Sequence, residues 1–381
     1  MNKKMILPFL LVSLLVACNR EPTNVSFDVN KKEGEVELHS EDQLTRFINN
    51  VRILDKYYSS TQYLSGLMPK TDYTKPIPIN LSWTVSLDKG SINEYKVLLS
   101  EKNDLTDARE YKANSTSIDV TNLKLDTTYY YQVSYKGFKS NVSSFKTNNT
   151  VIRGIDIDGV KNVRDLGGFF NLKQGMLYRG GEFESYDKYK DTLTTLITEK
   201  GKQTIKNELG IKTEVDLRKN DNDSKENGLI TKSSVDGLNY IQLPMYYGGE
   251  NLIEYRDDTF DDPARIKDFF ELLANENNYP VYFHCSQGKD RTGILAYLVA
   301  ALLGASKDNL YKDYLYSNLA DISYDLKMSG IDGKYGGTLG EYHNTLPEGT
   351  TFAEAVYKYL NEVIGVSTQN LDSVISLLEI K

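Results

Sequence analysis

The sequence predicts two folds in series: a small all-β sandwich over residues 76–148, then an α/β domain over 151–381 whose central, mostly parallel sheet is flanked by helices. Three patterns predict this. Between Ile77 and Thr147 apolar residues alternate in short runs separated by turn-rich gaps, as half-buried strands require. From Val151 onward strand-like and helix-like runs interleave. Within that second region, Pro280 to Gly304 reads as a buried strand, a tight loop and a buried helix.

Residues 1–17 carry two lysines, an apolar run too short to span a bilayer, and a small residue before Cys18, which is the pattern of a secretory signal. Leu15, Val16, Ala17 and Cys18 resemble a bacterial lipobox, which implies cleavage before Cys18, a lipid on that cysteine, and an exported chain anchored to a membrane of the cell envelope. Residues 18–75 then read as a tether with a short helical segment. Asn19 to Leu38 is polar and suits a spacer, and Ser40 with Gln43 can cap a helix carrying Leu44, Phe47, Ile48, Val51 and Leu54.

In the sandwich, Leu81, Trp83 and Val85 alternate, as do Tyr95, Val97 and Leu99, Ile118 and Val120, and Tyr129, Tyr131 and Val133. The stretch LKLDTTYYYQV resembles the end of a fibronectin type III module, with Leu125 where that pattern has proline. The resemblance implies Tyr129 as the corner tyrosine and Trp83 as the core tryptophan, and it implies no activity.

In the α/β region, Lys212 to Arg218 reads as a buried strand after a helix ended by Gly210, and Asp216 and Arg218 share one face at its C-terminal end, where α/β proteins place their sites. An Asp216–Arg218 or an Arg164–Asp165 ion pair is expected to organise the pocket. Tyr240 to Pro244 reads as another strand. Asp262 as N-cap and Pro263 at the first helical position open a helix with Ile266, Phe269, Phe270 and Leu273 toward the core.

Composition narrows the chemistry. The formal net charge of −8 becomes −10 once Lys3 and Lys4 leave with the signal, and without a basic stripe the chain is not expected to bind nucleic acid. The histidines His39, His284 and His343 are scattered and no paired-cysteine spacing occurs, so neither a metal nor another cofactor is expected. The two cysteines, Cys18 and Cys285, leave no disulfide if one is lipidated and the other reacts.

The chemistry concentrates in His284 to Gly293, HCSQGKDRTG. Between a strand and a helix N-terminus, the amides of Ser286, Gln287, Gly288, Lys289, Asp290 and Arg291 can form a nest for an anion the size of phosphate. Cys285 faces that positive cradle, which favours a thiolate nucleophile, and Arg291 offers a planar fork for two phosphoryl oxygens. Gly288 permits a positive φ in mid-loop. A Walker A loop is excluded, because Asp290 follows Lys289.

This decapeptide resembles the phosphate loop of the cysteine-dependent protein tyrosine phosphatases. With NVRDLGGF, MLYRG, KTEVDLR and DYLYSN in order around it, the stretch from Gly154 to the C-terminus resembles the broad-specificity bacterial branch with the HCxxGKDRT loop. The resemblance implies a phosphocysteine at Cys285, phosphoryl binding by Arg291, stabilisation of the leaving thiolate by Thr292 and tuning of the thiol by His284. The tryptophan-containing acid loop of the tyrosine-specific members is missing. Asp290 is the first candidate for the general acid, before Asp257, Asp258, Asp261, Asp262 and Asp216. Expected substrates are phosphotyrosine proteins with broader specificity. Lys289 keeps inositol phosphates and phosphoinositides in view, and a non-catalytic surface lipoprotein that binds phosphoanions is the other alternative.

Overall fold

The computed structural model describes residues 21–40, 72–149, 152–168, 170–187, 190–219, 230–245, 263–320 and 338–380. The signal and Cys18, the helix expected from Leu44, and Asp257, Asp258, Asp261 and Asp262 lie outside the described residues. No helix among the described residues is long and apolar enough to cross a membrane.

The described strands are β1 Val25–Val29, β2 Glu35–Val36, β3 Ile79–Leu87, β4 Tyr95–Ser100, β5 Arg109–Ala113, β6 Ser117–Val120, β7 Thr128–Tyr135, β8 Phe138–Lys139, β9 Ser143–Thr147, β10 Arg164–Asp165, β11 Leu177–Gly180, β12 Glu184–Asp187, β13 Thr192–Thr195, β14 Thr213–Asp216, β15 Asn239–Gln242 and β16 Val281–His284. The α-helices are α1 Glu199–Gln203, α2 Pro263–Leu273, α3 Arg291–Leu302, α4 Lys307–Tyr316, α5 Thr338–Asn344, α6 Phe352–Lys358 and α7 Thr368–Leu378. By contact the described residues form two compact units, one of 21–32, 80–118 and 129–144, the other of 33–40, 72–79, 119–128 and 145 onward.

The first unit is β-rich. β1 runs antiparallel to β3 with Val29 opposite Trp83, and β4 lies between β5 and β7 with Val97 opposite both Tyr111 and Val133. Alternation sends Trp83, Tyr95, Val97 and Val133 into one core with Val25 and Ile92, and Trp83 meets Tyr95 edge to face at 5.3 Å. The spacer expected over Asn19 to Leu38 is corrected here. Val25–Val29 is a strand, its entry fixed by Asp88, which accepts from the Thr23 and Asn24 amides, and Glu35–Val36 pairs with Lys146 and Thr147 in the second unit. The polar look of β1 comes from its outward residues.

The second unit holds a five-stranded sheet in the order β10-β11-β16-β14-β15, antiparallel at β10 and β11 and parallel elsewhere. β16 is central and reads VYFH, buried on both faces as an inner parallel strand must be. Every residue of α3 is buried, in keeping with a helix apolar all round from Ile294 onward, and Gly304 lies just past its end at φ +78° as a C-terminal stop. α2 turns Ile266, Phe269, Phe270 and Leu273 inward. Registers pair Gly180 and Asp216 with His284, so β11, β14 and β16 end at one level, and the segments leaving these three strands meet at one edge of the sheet.

Candidate active site

Cys285 is the first residue past β16, at the start of the loop to α3, and is 3% exposed. The loop's conformation is set from outside. The Glu182 amide donates to the Ser286 carbonyl at 3.1 Å, the Asn162 Nδ2 to those of Gln287 at 3.0 Å and Gly288 at 3.3 Å, and the Arg179 Nη2 to those of Gly288 at 2.8 Å and Lys289 at 3.3 Å. In a planar trans peptide the carbonyl of one residue and the amide of the next point opposite ways. Carbonyls engaged from outside at Ser286 to Lys289 therefore turn the amides of Gln287 to Asp290 to the opposite side of the loop, where with the α3 N-terminus they could hold an anion. Gly288 sits at φ +65°, and a Cβ there would lie 2.1 Å from the Gly180 carbonyl oxygen, so both conformation and space demand glycine.

Burial pushes the Cys285 thiol up, but the Arg291 charge and the Thr292 hydroxyl and amide beside it outweigh burial and hold it below the ordinary thiol value. Arg291 is fully buried and anchored through Nη1 to the Leu217 carbonyl at 3.3 Å. The His284 Nδ1 lies 3.1 Å from the Cys285 carbonyl and Nε2 lies 2.9 Å from the Glu214 carboxylate. Both partners accept, so both ring nitrogens carry protons. Burial opposes that charge, yet Asp216 and Glu214 raise His284 to about 9. Phe183 stacks on the ring at 5.6 Å and fixes its plane.

Asp216 and Arg218 meet as the shared face of β14 requires: the carboxylate accepts from Arg218 Nε at 2.9 Å and Nη2 at 2.6 Å, and from the Tyr240 hydroxyl at 2.8 Å. Arg218 also reaches Glu182 at 3.0 Å and Glu184 at 2.7 Å. Although burial acts the other way, the His284 charge and the Arg218 bonds hold Asp216 at about 2, in keeping with an anion that anchors Arg218 and Tyr240. Asp290, the N-cap of α3, makes no side-chain capping bond, has a side chain 23% exposed, and stands 4.0 Å from the Lys289 ammonium.

The Arg164–Asp165 pair is corrected, because neighbouring strand residues point to opposite faces. Arg164 binds Asp313 at 2.6 Å, whereas Asp165 pairs with Arg153 and accepts from the Gly167 and Gly175 amides. Sequence reasoning also passed over Asn162, Arg179, Glu182, Glu214 and Asp313 as individual residues. Glu214 carried a signal, a carboxylate inside a strand, TEVD, read as buried. Arg179 and Asp313 lay in MLYRG and DYLYSN, but their partners are far away in sequence. Among the described residues no group of side chains could hold a metal ion.

Residues 155–379 match the model of a family described as the tyrosine phosphatase family. A protein of Cupriavidus necator whose name assigns it to the tyrosine-protein phosphatases is 26% identical over 201 residues, covering 46% of this chain and 68% of its own. The tyrosine-protein phosphatase of Nostoc commune is 27% identical over 122 residues, 29% of this chain and 41% of its own. A solved structure, the core catalytic domain of the PP-IP phosphatase SIW14 of S. cerevisiae, aligns with a TM-score of 0.28 at 14% identity over 46% of this chain and 94% of its own. A loop of this geometry on the sheet edge and a family match over most of the second unit lead to one conclusion: the chain is a phosphatase and belongs to the tyrosine phosphatase family.

Proposed function

We propose that the enzyme hydrolyses phosphomonoesters through a phosphocysteine at Cys285, acting on protein phosphotyrosine with broader specificity. One observation carries this reading: carbonyls engaged from outside at Ser286 to Lys289 turn the amides to the opposite side of a loop that follows a buried, acidified thiol. The Cys285 thiolate attacks phosphorus in line, forming the S–P bond as the ester P–O bond breaks. The amide nest and Arg291 hold the non-bridging oxygens, and Asp290, at the loop's rim, gives the proton to the departing oxygen. Water then attacks phosphorus, its proton passing to the Asp290 carboxylate, the S–P bond breaks to release phosphate, and Thr292 steadies the returning thiolate.

A second substrate class is favoured by one residue. Lys289, 5% exposed, adds a second cation to the loop that carries Arg291, which suits inositol phosphates or phosphoinositides with more than one phosphate. The β-rich unit would be a fibronectin type III-like spacer or substrate-presenting module, and Cys18 would anchor the exported chain to a bacterial membrane through lipid.

Initial rates on an aryl phosphate, a phosphotyrosine peptide, inositol phosphates and phosphoinositides test the reading with wild type, Cys285→Ser and Asp290→Asn. Cys285→Ser should lose turnover on every substrate, and Asp290→Asn should lose more with poor leaving groups than with good ones. Turnover surviving in Cys285→Ser would refute the phosphocysteine, and turnover of the inositol compounds alone would reverse the substrate ranking. Fatty-acid labelling that is lost in Cys18→Ser tests the anchor.

A further inference from the structure

The conformation of the phosphate loop traces back to a buried group of charges that the reaction itself does not use. Asp313 on α4 binds two arginines with its two oxygens, the Arg164 Nε at 2.6 Å and the Arg179 Nη1 at 2.6 Å. All three side chains are at most 7% exposed. The other arm of Arg179 is the one that holds the Gly288 and Lys289 carbonyls. Arg164 donates to Asn162 Oδ1 at 2.7 Å, and that orientation turns the Asn162 amide nitrogen toward the Gln287 and Gly288 carbonyls. The Asp313 carboxylate is thus the common root of both grips on the loop. Two guanidiniums share one carboxylate, leaving a net positive charge against the loop that follows Cys285.

We infer that Arg179, fixed by Asp313, is a positioning residue for the nucleophile loop: its fork turns the mid-loop carbonyls outward, and its charge adds to the field that keeps Cys285 ionised. Burial and the Arg164 charge pull Arg179 down to about 10, so it stays charged at neutral pH, and the Cys285 thiolate is one of the charges that favour this. Among the charged and titratable groups around Cys285 are Arg291 from α3, Asp290 at its N-cap, Arg179 from β11, and His284 and Tyr282 from its own strand. Arg179 is the member of that set whose fork also holds the loop's own carbonyls. The β11 segment continues the template: Gly180 closes against Gly288, and the Glu182 amide takes the Ser286 carbonyl.

This inference rests on Cys285 being the nucleophile, and the test separates the two. The rate of Cys285 alkylation by iodoacetamide against pH reads thiol ionisation without any turnover, and aryl phosphate hydrolysis is measured beside it on the full chain. Arg179→Met should shift the alkylation profile up by about one pH unit and lower turnover near neutral pH, with part of the loss recovered as pH rises. Arg179→Lys keeps the charge and should leave the alkylation profile near wild type while turnover falls. Asn162→Gly removes a neutral grip and should lower turnover without moving the alkylation profile. If Arg179→Met does not fold by circular dichroism, Arg179→Gln carries the test, since it also removes the charge and should move alkylation to higher pH. A folded Arg179→Met or Arg179→Gln whose profile overlays wild type overturns the inference. Turnover retained in Cys285→Ser would instead overturn the assignment of the nucleophile.

Discussion

Replacing Gly288 by alanine tests the loop geometry most directly. The residue sits at φ +65°, where a side chain costs about 1 kcal/mol through contact with its own backbone. The added Cβ would also lie 2.1 Å from the Gly180 carbonyl oxygen, and Gly180 is held in β11 beside β16, so relief needs about 1 Å of movement in the loop. A misplacement of that size at a reacting centre lowers kcat by about a hundredfold, or about 3 kcal/mol of transition-state stabilisation. The ground-state cost is smaller and should lower the melting temperature by about 3 °C for a unit of this size. Aryl phosphate hydrolysis and thermal melting on the same preparations give both quantities. A Gly288→Ala enzyme that melts with wild type and turns over within about threefold of it would show that the loop is not packed against Gly180 as described.

Three further outcomes are expected. Asp216 has a folded pKa near 2 against an ordinary 3.8, so its stabilisation is complete above the ordinary value and lost as pH falls through about 2. At about 2 kcal/mol, it should appear as a wild-type advantage over Asp216→Asn in urea midpoints that shrinks from about pH 5 to about pH 2, and a constant gap would reject it. Peroxide should inactivate the enzyme by oxidising the Cys285 thiolate to the sulfenic acid, dithiothreitol should restore it, and indifference to peroxide would count against an ionised thiol. Phe183, fully buried between Tyr282 at 4.8 Å and His284 at 5.6 Å, should cost about 3–5 kcal/mol when cut to alanine, read by chemical unfolding, with a cost under about 1 kcal/mol excluding the stacked arrangement.

Much of the catalytic unit was legible because its signals are local. The apolar run before His284, the glycine within the loop and the apolar stretch of α3 from Ile294 onward each identify themselves within a few residues, and the period of a strand was enough to bring Asp216 onto Arg218. The hidden part depends on long-range pairing. Arg164 sits beside Asp165 in the chain, but its carboxylate is on Asp313, 149 residues away, and no periodicity connects β10 to α4. Arg179 reads as one more strand residue until β11 is known to lie against β16, at which point its fork reaches the loop. The strand at Val25–Val29 escaped notice because Ser26 and Asp28 give an edge strand the composition of a linker.

Arg218 touches Asp216 in β14, Glu182 after β11 and Glu184 at the start of β12, so a single guanidinium bolts the root of the β12–β13 hairpin to the sheet. All four residues of β13 are exposed beyond that root. Sequence can therefore drift along β13 while the chemistry below stays undisturbed, which makes the hairpin a natural place to graft a different recognition segment onto the same catalytic base.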